Sequence, residues 1–284
     1  MSASRRVRVT EVTAGAQRAT EDRVAIEEPL EIRIETPDGP VPLAVTMRSP
    51  GDDLELAAGF LFSEGVIRSA NDIATLRHCM QVPRDRRTNT VTARLAPGAT
   101  VAATAMARRF TVSSACGVCG VESLDALAQR GVRPVVPTAV DAELLAALPD
   151  RLRAAQPTFE RTGGLHAAGL FSPTGEVLCV REDVGRHNAL DKVLGWALMQ
   201  GLLPLDRHIV LVSGRTSFEL VQKSVCAGVA LLAGISAPSS LAVELAERFG
   251  LALAGFVRGQ RFVLYAGTLA AQVPPAICAQ PAAR

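Results

Sequence analysis

The sequence predicts an α/β protein: a three-layer α/β/α sandwich, with a smaller N-terminal α+β part before it. Three observations carry this. From about residue 158 onward, strand-length apolar runs alternate with helix-length amphipathic segments. Ile209 to Val212 is wholly apolar, as in a strand covered on both faces. Leu30 to Glu35 alternates apolar and charged residues, as in a strand with one wet face. The main sheet is expected to be mostly parallel, with some antiparallel pairs.

The elements follow in order. Residues 1–24 are polar with only weak alternation and read as a flexible N-terminus. Leu30–Glu35, the turn Pro37-Asp38-Gly39-Pro40 and Val41–Met47 make a first strand pair. Gly51-Asp52-Asp53 opens a helix, its acids suiting the positive helix end, and Gly65 closes it. Ile73–Val82 and Thr90–Leu95 read as strands around the basic loop Arg84-Asp85-Arg86-Arg87. Short helices are expected at 101–109 and 122–130, and another over 141–155 with Asp141 as N-cap. Ala167–Phe171 and Glu176–Val180 form a hairpin across Pro173-Thr174-Gly175. Helices over 188–199, 218–232 and 241–249 alternate with strands at 209–212 and from Gly234, and 251–257 with 261–265 make a last hairpin. The expected organisation is therefore a flexible N-terminus (1–24), an α+β part (25–110), a mobile loop with a short helix (111–138), the α/β/α core with the binding site (139–266) and a flexible C-terminus (267–284).

Composition narrows the function. Hydrophobic residues are 48% of the 284, enough for a substantial core. The formal charge of +2 excludes a broad electrostatic attraction to nucleic acid or membrane, so any anion site must be local. The uncharged run from Ser224 to Val243 is broken by Gly228, Gly234 and Pro238 and reads as core, not as a membrane span. No secretory signal pattern opens the chain, so a reducing, cytoplasmic setting is expected.

Two features carry chemistry. Ser113-Ser114-Ala115-Cys116-Gly117-Val118-Cys119-Gly120 holds two thiols three positions apart, uncrowded and flanked by glycine. A C-x-x-C of this kind is either a reactive pair or half of a structural metal site. The other cysteines (79, 179, 226 and 278) each stand alone in apolar surroundings and read as buried, and His78 and His208 carry no motif. The second feature is a set of strand ends. Arg181-Glu182-Asp183-Val184-Gly185-Arg186-His187-Asn188, Ser213-Gly214-Arg215-Thr216-Ser217 and Arg258-Gly259-Gln260-Arg261 each follow an apolar strand and combine arginine with glycine. Ligands of open α/β sheets bind at such ends, and the helix starts here supply free N–H groups for phosphate. Singly, each cluster is equally a solvated strand end, an N-cap at Ser213 or a charged turn at Gly259. His166, after Thr162-Gly163-Gly164-Leu165, and His187 are each open to an acid–base, ligand or structural role.

Cys116-Gly117-Val118-Cys119-Gly120, Thr162–His166, Arg181–Lys192, Ser213–Glu219 and Ser236–Ala242 stand in that order, and together they resemble the formate dehydrogenase accessory sulfurtransferase family, FdhD. The resemblance covers roughly residues 25 to 266. It implies a cytoplasmic sulfur carrier that takes persulfide sulfur from a cysteine desulfurase and passes it to the molybdenum bis(guanine dinucleotide) cofactor destined for formate dehydrogenase. It also implies a cytidine-deaminase-like core, a homodimer, and Cys116 as the sulfur-carrying residue. The family's cofactor-binding stretch matches Phe256-Val257-Arg258-Gly259-Gln260-Arg261. The expected binding set is therefore these six residues with Arg181, Asp183, Arg186, His187, Ser213, Gly214 and Arg215, and the expected catalytic pair is Cys116 and Cys119. Cys119 is open to a part in releasing the sulfur or to none. The cofactor is a bound substrate, guanine nucleotides such as GDP are its expected mimics, and no metal is expected on protein side chains.

Rival readings have sequence tests of their own. A zinc deaminase needs H-x-E and a downstream P-C-x-x-C, and no H-x-E occurs in the chain. A structural zinc would need His166 and His187 to join the thiols, since no second C-x-x-C exists. A thioredoxin-like site should open a helix directly after a strand, where Ser113-Ser114 and Gly120 suggest a loop. A cofactor-binding chaperone would use the arginines without Cys116.

Overall fold

The computed structural model describes residues 3–99, 110–112, 132–136 and 138–270. Cys116, Cys119 and the helices expected at 101–109 and 122–130 lie outside the described residues.

The chain begins with β1 (Ser4–Thr13) and β2 (Ala16–Ala25), a hairpin in continuous register from Ser4↔Ala25 to Thr13↔Ala16. Ala14 and Gly15 both have positive φ, 49° and 86°, the geometry whose twist suits a two-residue hairpin loop. This departs from the flexible tail expected at 1–24. The hairpin leaves no hydrophobic alternation in the sequence because most of its residues are exposed and neither face forms a core.

A five-stranded sheet follows, in the order β5-β6-β3-β4-β7. Its strands are β3 (Glu28–Thr36), β4 (Gly39–Arg48), β5 (Ile73–His78), β6 (Thr90–Leu95) and β7 (Phe110–Val112). β3 pairs antiparallel with β4 and parallel with β6, as its alternation allows. β5 stops at His78, four residues short of expectation, because the chain turns at Met80 and Gln81 ahead of Pro83. β7 pairs with β4, so residues 111 and 112 belong to this sheet and not to the loop. Leu30, Ile32, Val91 and Ala93 face helix α1 (Asp53–Ser63), forming one core with Leu56, Ala57 and Leu61.

The main sheet has the order β10-β9-β11-β12-β13-β14. Its strands are β9 (His166–Phe171), β10 (Val177–Asp183), β11 (Ile209–Val212), β12 (Leu231–Gly234), β13 (Ala252–Arg258) and β14 (Arg261–Ala266). Only the pairs β11/β12 and β12/β13 are parallel, while β9/β10, β9/β11 and β13/β14 are antiparallel. The expected mostly parallel sheet is thus a mixed one, because a hairpin closes it at each side. The three layers are present. Helices α4 (Arg186–Met199), α5 (Phe218–Cys226) and α6 (Ser240–Phe249) cover Ala168, Leu170, Val210, Val212, Leu232 and Leu253 on one face. Helix α2 (Ala142–Ala154) covers Ala167, Phe171, Leu211, Ala233 and Ala254 on the other through Leu145, Leu148 and Leu152. Asp141 caps α2, accepting from the backbone N–H of Glu143 and Leu144 at 3.0 Å each. A short helix α3 (Pro157–Thr162) leads into β9.

The helix expected over 218–232 ends at Cys226. Gly228 has φ 68°, and Val229 N–H reaches back to Ser224 O at 3.0 Å, a left-handed helix stop that lets 231–234 continue as strand. The strand expected from Gly234 therefore ends there, and residues 235–238 are edge loop. The tail expected to be flexible from 267 first pairs, Thr268 and Leu269 (β15) lying beside Ala139 and Val140 (β8). The two sheets are joined where α1 crosses α4. A Cβ built on Gly59 would overlap the backbone of Asp191, and one on Gly195 would overlap that of Glu55, so only glycine permits this approach.

Candidate functional site

β10 is antiparallel to β9, which is antiparallel to β11, so β10, β11, β12 and β13 all point the same way. Their C-terminal ends form one edge. This edge receives all three arginine-containing clusters.

At the end of β10 the side chains divide by face. Glu182 accepts from Thr158 N–H and Phe159 N–H at 2.9 and 2.6 Å and so fixes the start of α3. Asp183 is fully buried and accepts from Ser49 N–H, Gly185 N–H and Asn188 Nδ2 at 3.1, 2.9 and 3.1 Å, with Lys192 Nζ at 2.8 Å. Its carboxylate is saturated inside the fold, so it shapes the turn into α4 and presents no oxygen to a ligand. Arg181 is likewise committed elsewhere. Its Nε and Nη2 donate to the two oxygens of Glu55 at 2.6 and 2.9 Å, with Nη1 on Val180 O. The expectation that Arg181 offers its charge to a phosphate is corrected by this bidentate clamp onto α1.

Arg186 and His187 open α4. Gly214 packs closely here: an added Cβ would lie 3.3 Å from His166 Nδ1 and 3.5 Å from Arg186 Cδ. Burial lowers the His166 pKa, and the charge of Arg186 lowers it further, so the imidazole is held neutral. His187 Nε2 is 3.2 Å from Ser217 Oγ and 3.8 Å from Glu219 Oε2. The imidazole of His187 leads in holding the Glu219 carboxyl down at about 2, against the upward push of burial. Ser213 clasps the start of β9, its Oγ accepting from Ala167 N–H at 2.9 Å and its N–H donating to Ala167 O at 2.9 Å. Arg215 is exposed and makes no ion pair among the described residues.

The end of β13 is strained. Phe256 has φ 53°, a conformation bulky side chains avoid, and its N–H donates to Ser236 O at 3.1 Å. A bulge between Gly255 and Arg258 turns the strand before the Gly259-Gln260 loop, and Val257 is buried between them. Arg258 and Arg261 face each other in register, both exposed and neither ion-paired among the described residues. Like charges directly opposite on a hairpin repel, a repulsion that a bound anion would relieve.

A cavity of about 570 Å³ opens beside this edge on the α2 face. Among the described residues its walls include Leu152, Arg153, Gln156, Phe159, His166 and Ser213. Sequence reasoning picked out His166 and Ser213 but missed Gln156 and Phe159, which stand in no chemical motif. Ser217 and Glu219 were also missed as partners of His187, although they lie two and four residues beyond Arg215. The structure brings Arg186, His187, His166, Ser213 and Gly214 together, sets Arg215, Arg258, Gly259, Gln260 and Arg261 exposed along the same edge, and takes Arg181 and Asp183 out of reach. Of the other cysteines, Cys79 and Cys179 are buried as expected, burial pushing the Cys179 thiol up to about 12, Cys226 is only half-buried and Cys278 lies outside the described residues; burial lowers the His208 pKa. Among the described residues no cluster of His, Cys, Asp or Glu is arranged to hold a metal, and no helix is long and apolar enough to cross a membrane.

A Streptomyces avermitilis protein named sulfur carrier protein FdhD is 50% identical over 267 residues, covering 92% of this chain and 93% of that one. A relative of the same name from Mycolicibacterium paratuberculosis is 48% identical over 269 residues, covering 93% and 97%. A crystal structure from Desulfotalea psychrophila, of a protein assigned as a formate dehydrogenase accessory protein, superposes with a TM-score of 0.72 at 24% identity, over 94% of this chain and 98% of that one. This likeness shows the shared α/β fold. The profile of the FdhD/NarQ family matches residues 25–271, and the chain belongs to that family.

Proposed function

We propose that this protein is a sulfur carrier serving formate dehydrogenase. One observation carries the reading: half of its residues are identical, across 92% of its length, to a protein named as a sulfur carrier. In this reading Cys116 is the carrier. Its thiolate attacks the terminal sulfur of a persulfide on a cysteine desulfurase, the donor's S–S bond breaks, and the donor cysteine leaves as thiolate. Cys116 then holds a persulfide whose outer sulfur passes to the molybdenum bis(guanine dinucleotide) cofactor, the substrate of the transfer. Cys119 can displace the sulfur as hydrosulfide by forming a disulfide with Cys116.

The strand-end edge supports a nucleotide-bearing substrate. Arg258 and Arg261 oppose each other with no ion-pair partner among the described residues, and Arg215 stands exposed on the same edge. Such guanidiniums suit a pyrophosphate. Arg186, His187, Ser213 and Gly214 are assigned to the same substrate, and a cytoplasmic homodimer is part of the proposal.

Intact mass spectrometry after incubation with a cysteine desulfurase and cysteine tests the carrier step. A reductant-labile gain of one sulfur, lost in Cys116→Ala and kept in Cys119→Ala, is expected. Retained GDP binding with no added mass in any form would replace the carrier by a cofactor-binding chaperone.

A further inference from the structure

We propose that the β1–β2 hairpin joins two copies of this chain, β2 pairing antiparallel with β2 of a second copy about a two-fold axis centred on Thr20. This rests on the homodimer reading above and names the strand that makes the joint.

The hairpin lacks the support to stand alone. Its strands are ten residues each, yet they form a sheet of only two and pair with neither larger sheet. Such a hairpin is at best marginally stable in water until further strands or a helix pack on it. The six-residue helix α3 packs against β2. Val7, Val9 and Thr20 are half-buried and share one face, Val9 lying opposite Thr20 in register. That contact uses a face and leaves the outer edge of β2 open: apart from Thr20 and Ala25, every residue of the strand is exposed. Alternate residues of an antiparallel ladder turn N–H and C=O away from their partner, so β2 carries a row of backbone groups that no other described strand meets.

Charge selects the partner and the register. A two-fold axis normal to a sheet sets residues at equal distances before and after its centre opposite each other. Centred on Thr20, it brings Thr20 against its own copy, Arg18 against Asp22 on both sides, Gln17 against Arg23 and Ala16 against Val24. Threonine pairs and opposite charges are favourable cross-strand neighbours, and no like charges meet. Arg18 donates Nη2 to Glu11 at 2.7 Å and keeps further N–H groups for a second carboxylate. Asp22 accepts from Arg23 N–H at 2.7 Å and has no ion pair among the described residues. Other registers are worse. A centre at Glu21 opposes two glutamates, and one at Ala19 leaves Arg18 facing Thr20. On β1 the same operation about Arg8 opposes two arginines, and about Val9 it sets Arg8 against Thr10 and Arg6 against Val12.

The product is a four-stranded sheet in the order β1-β2-β2-β1 across the axis. β2 ends at Ala25, whose Cβ would lie 3.9 Å from a Cβ added to Gly164. Gly164 lines the strand-end cavity together with Phe159 of α3, so the joint braces a wall of that cavity in each copy.

Sedimentation equilibrium of the full-length protein tests this. Arg18→Asp and Asp22→Arg each set like charges opposite one another on both sides of the axis, and each is expected to weaken dimerisation about tenfold or more. An equimolar mixture of the two variants is expected to recover dimers, since every facing pair in the mixed dimer is again of opposite charge. A folding defect gives no such recovery. Dimers of wild-type affinity in both single variants overturn the β2 joint and leave the homodimer reading standing, as do weakened variants that fail to recover on mixing. A monomeric wild type overturns both.

Discussion

Lys192 Nζ lies 2.8 Å from Asp183 Oδ2, and the two side chains are 1% and 0% exposed. Lys192 also donates to Ser49 O at 3.0 Å and Glu182 O at 3.3 Å, so one buried ammonium ties α4 to β10 and to the loop after β4. Removing one member of such a pair leaves a charge uncompensated in the interior, at a cost of about 3–5 kcal/mol. Asp183→Asn is expected to lose stability on that scale in urea unfolding. The double variant Asp183→Asn/Lys192→Met should recover a large part of the loss, because it buries no unpaired charge. A double variant as unstable as the sum of the single ones would show that the two residues act independently.

The crossing of α1 over α4 sets a second expectation. Gly59 and Gly195 each lie against the other helix's backbone, where nothing flexible can give way. Overpacking of this kind costs about 1–3 kcal/mol, and more when backbone must move. Gly59→Ala should sit at or beyond the top of that range, lowering the thermal midpoint and loosening the N-terminal sheet from the core. Hydrogen exchange localises the effect: faster exchange in 53–63 and 186–199 is expected, and unchanged exchange there would refute the packing argument.

Much of this architecture was legible in the sequence, for physical reasons that differ by element. Ile209–Val212 and Leu30–Glu35 announce themselves because burial on two faces or on one leaves its own pattern. The α5 boundary was read through because 227–232 is small and apolar, a composition helix and strand share, although Gly228 marks the stop. The β1–β2 hairpin was invisible because its faces form no core. At the site, the strand-end clusters could be found from glycine and arginine alone. The commitment of Arg181 to Glu55, 126 positions earlier, could not, since it depends on how α1 docks. Gln156 and Phe159 become notable only once α2 and α3 are laid against the sheet edge.

Acidification offers a third test. Glu219 has its folded pKa depressed from 4.5 to about 2, first through the neighbouring imidazole of His187. A depressed carboxyl contributes stability that is complete above its unfolded value and lost as protons are taken up below it. Stability should therefore fall as pH drops from about 4.5 toward 2. Glu219→Gln should flatten that part of the profile while leaving the region above pH 6 nearly parallel to wild type. His166 adds in the same direction at higher pH: its lowered folded pKa means the unfolded chain binds its proton first, so stability is lost as pH falls below the ordinary histidine range. His166→Gln should remove that portion alone.

The opposed Arg258 and Arg261 give the prediction that most cleanly separates binding from folding. Without a ligand, two facing guanidiniums on a tight hairpin disfavour the fold by up to about 1 kcal/mol. Arg258→Ala is therefore expected to leave the free protein as stable as wild type or slightly more so. If the pair receives a pyrophosphate, the same change should weaken GDP binding about tenfold or more, since hydrogen bonds to charged groups each contribute about 1.5–3 kcal/mol. It should also reduce the salt dependence of binding, because one fewer cation meets the phosphates. Thermal unfolding with and without GDP measures both effects in one series: the free midpoint holds or rises, and the ligand-induced shift shrinks. A residue that served only to support the hairpin would lower both. Opposite signs from one substitution would identify Arg258 as a charge kept for its ligand at the expense of the fold.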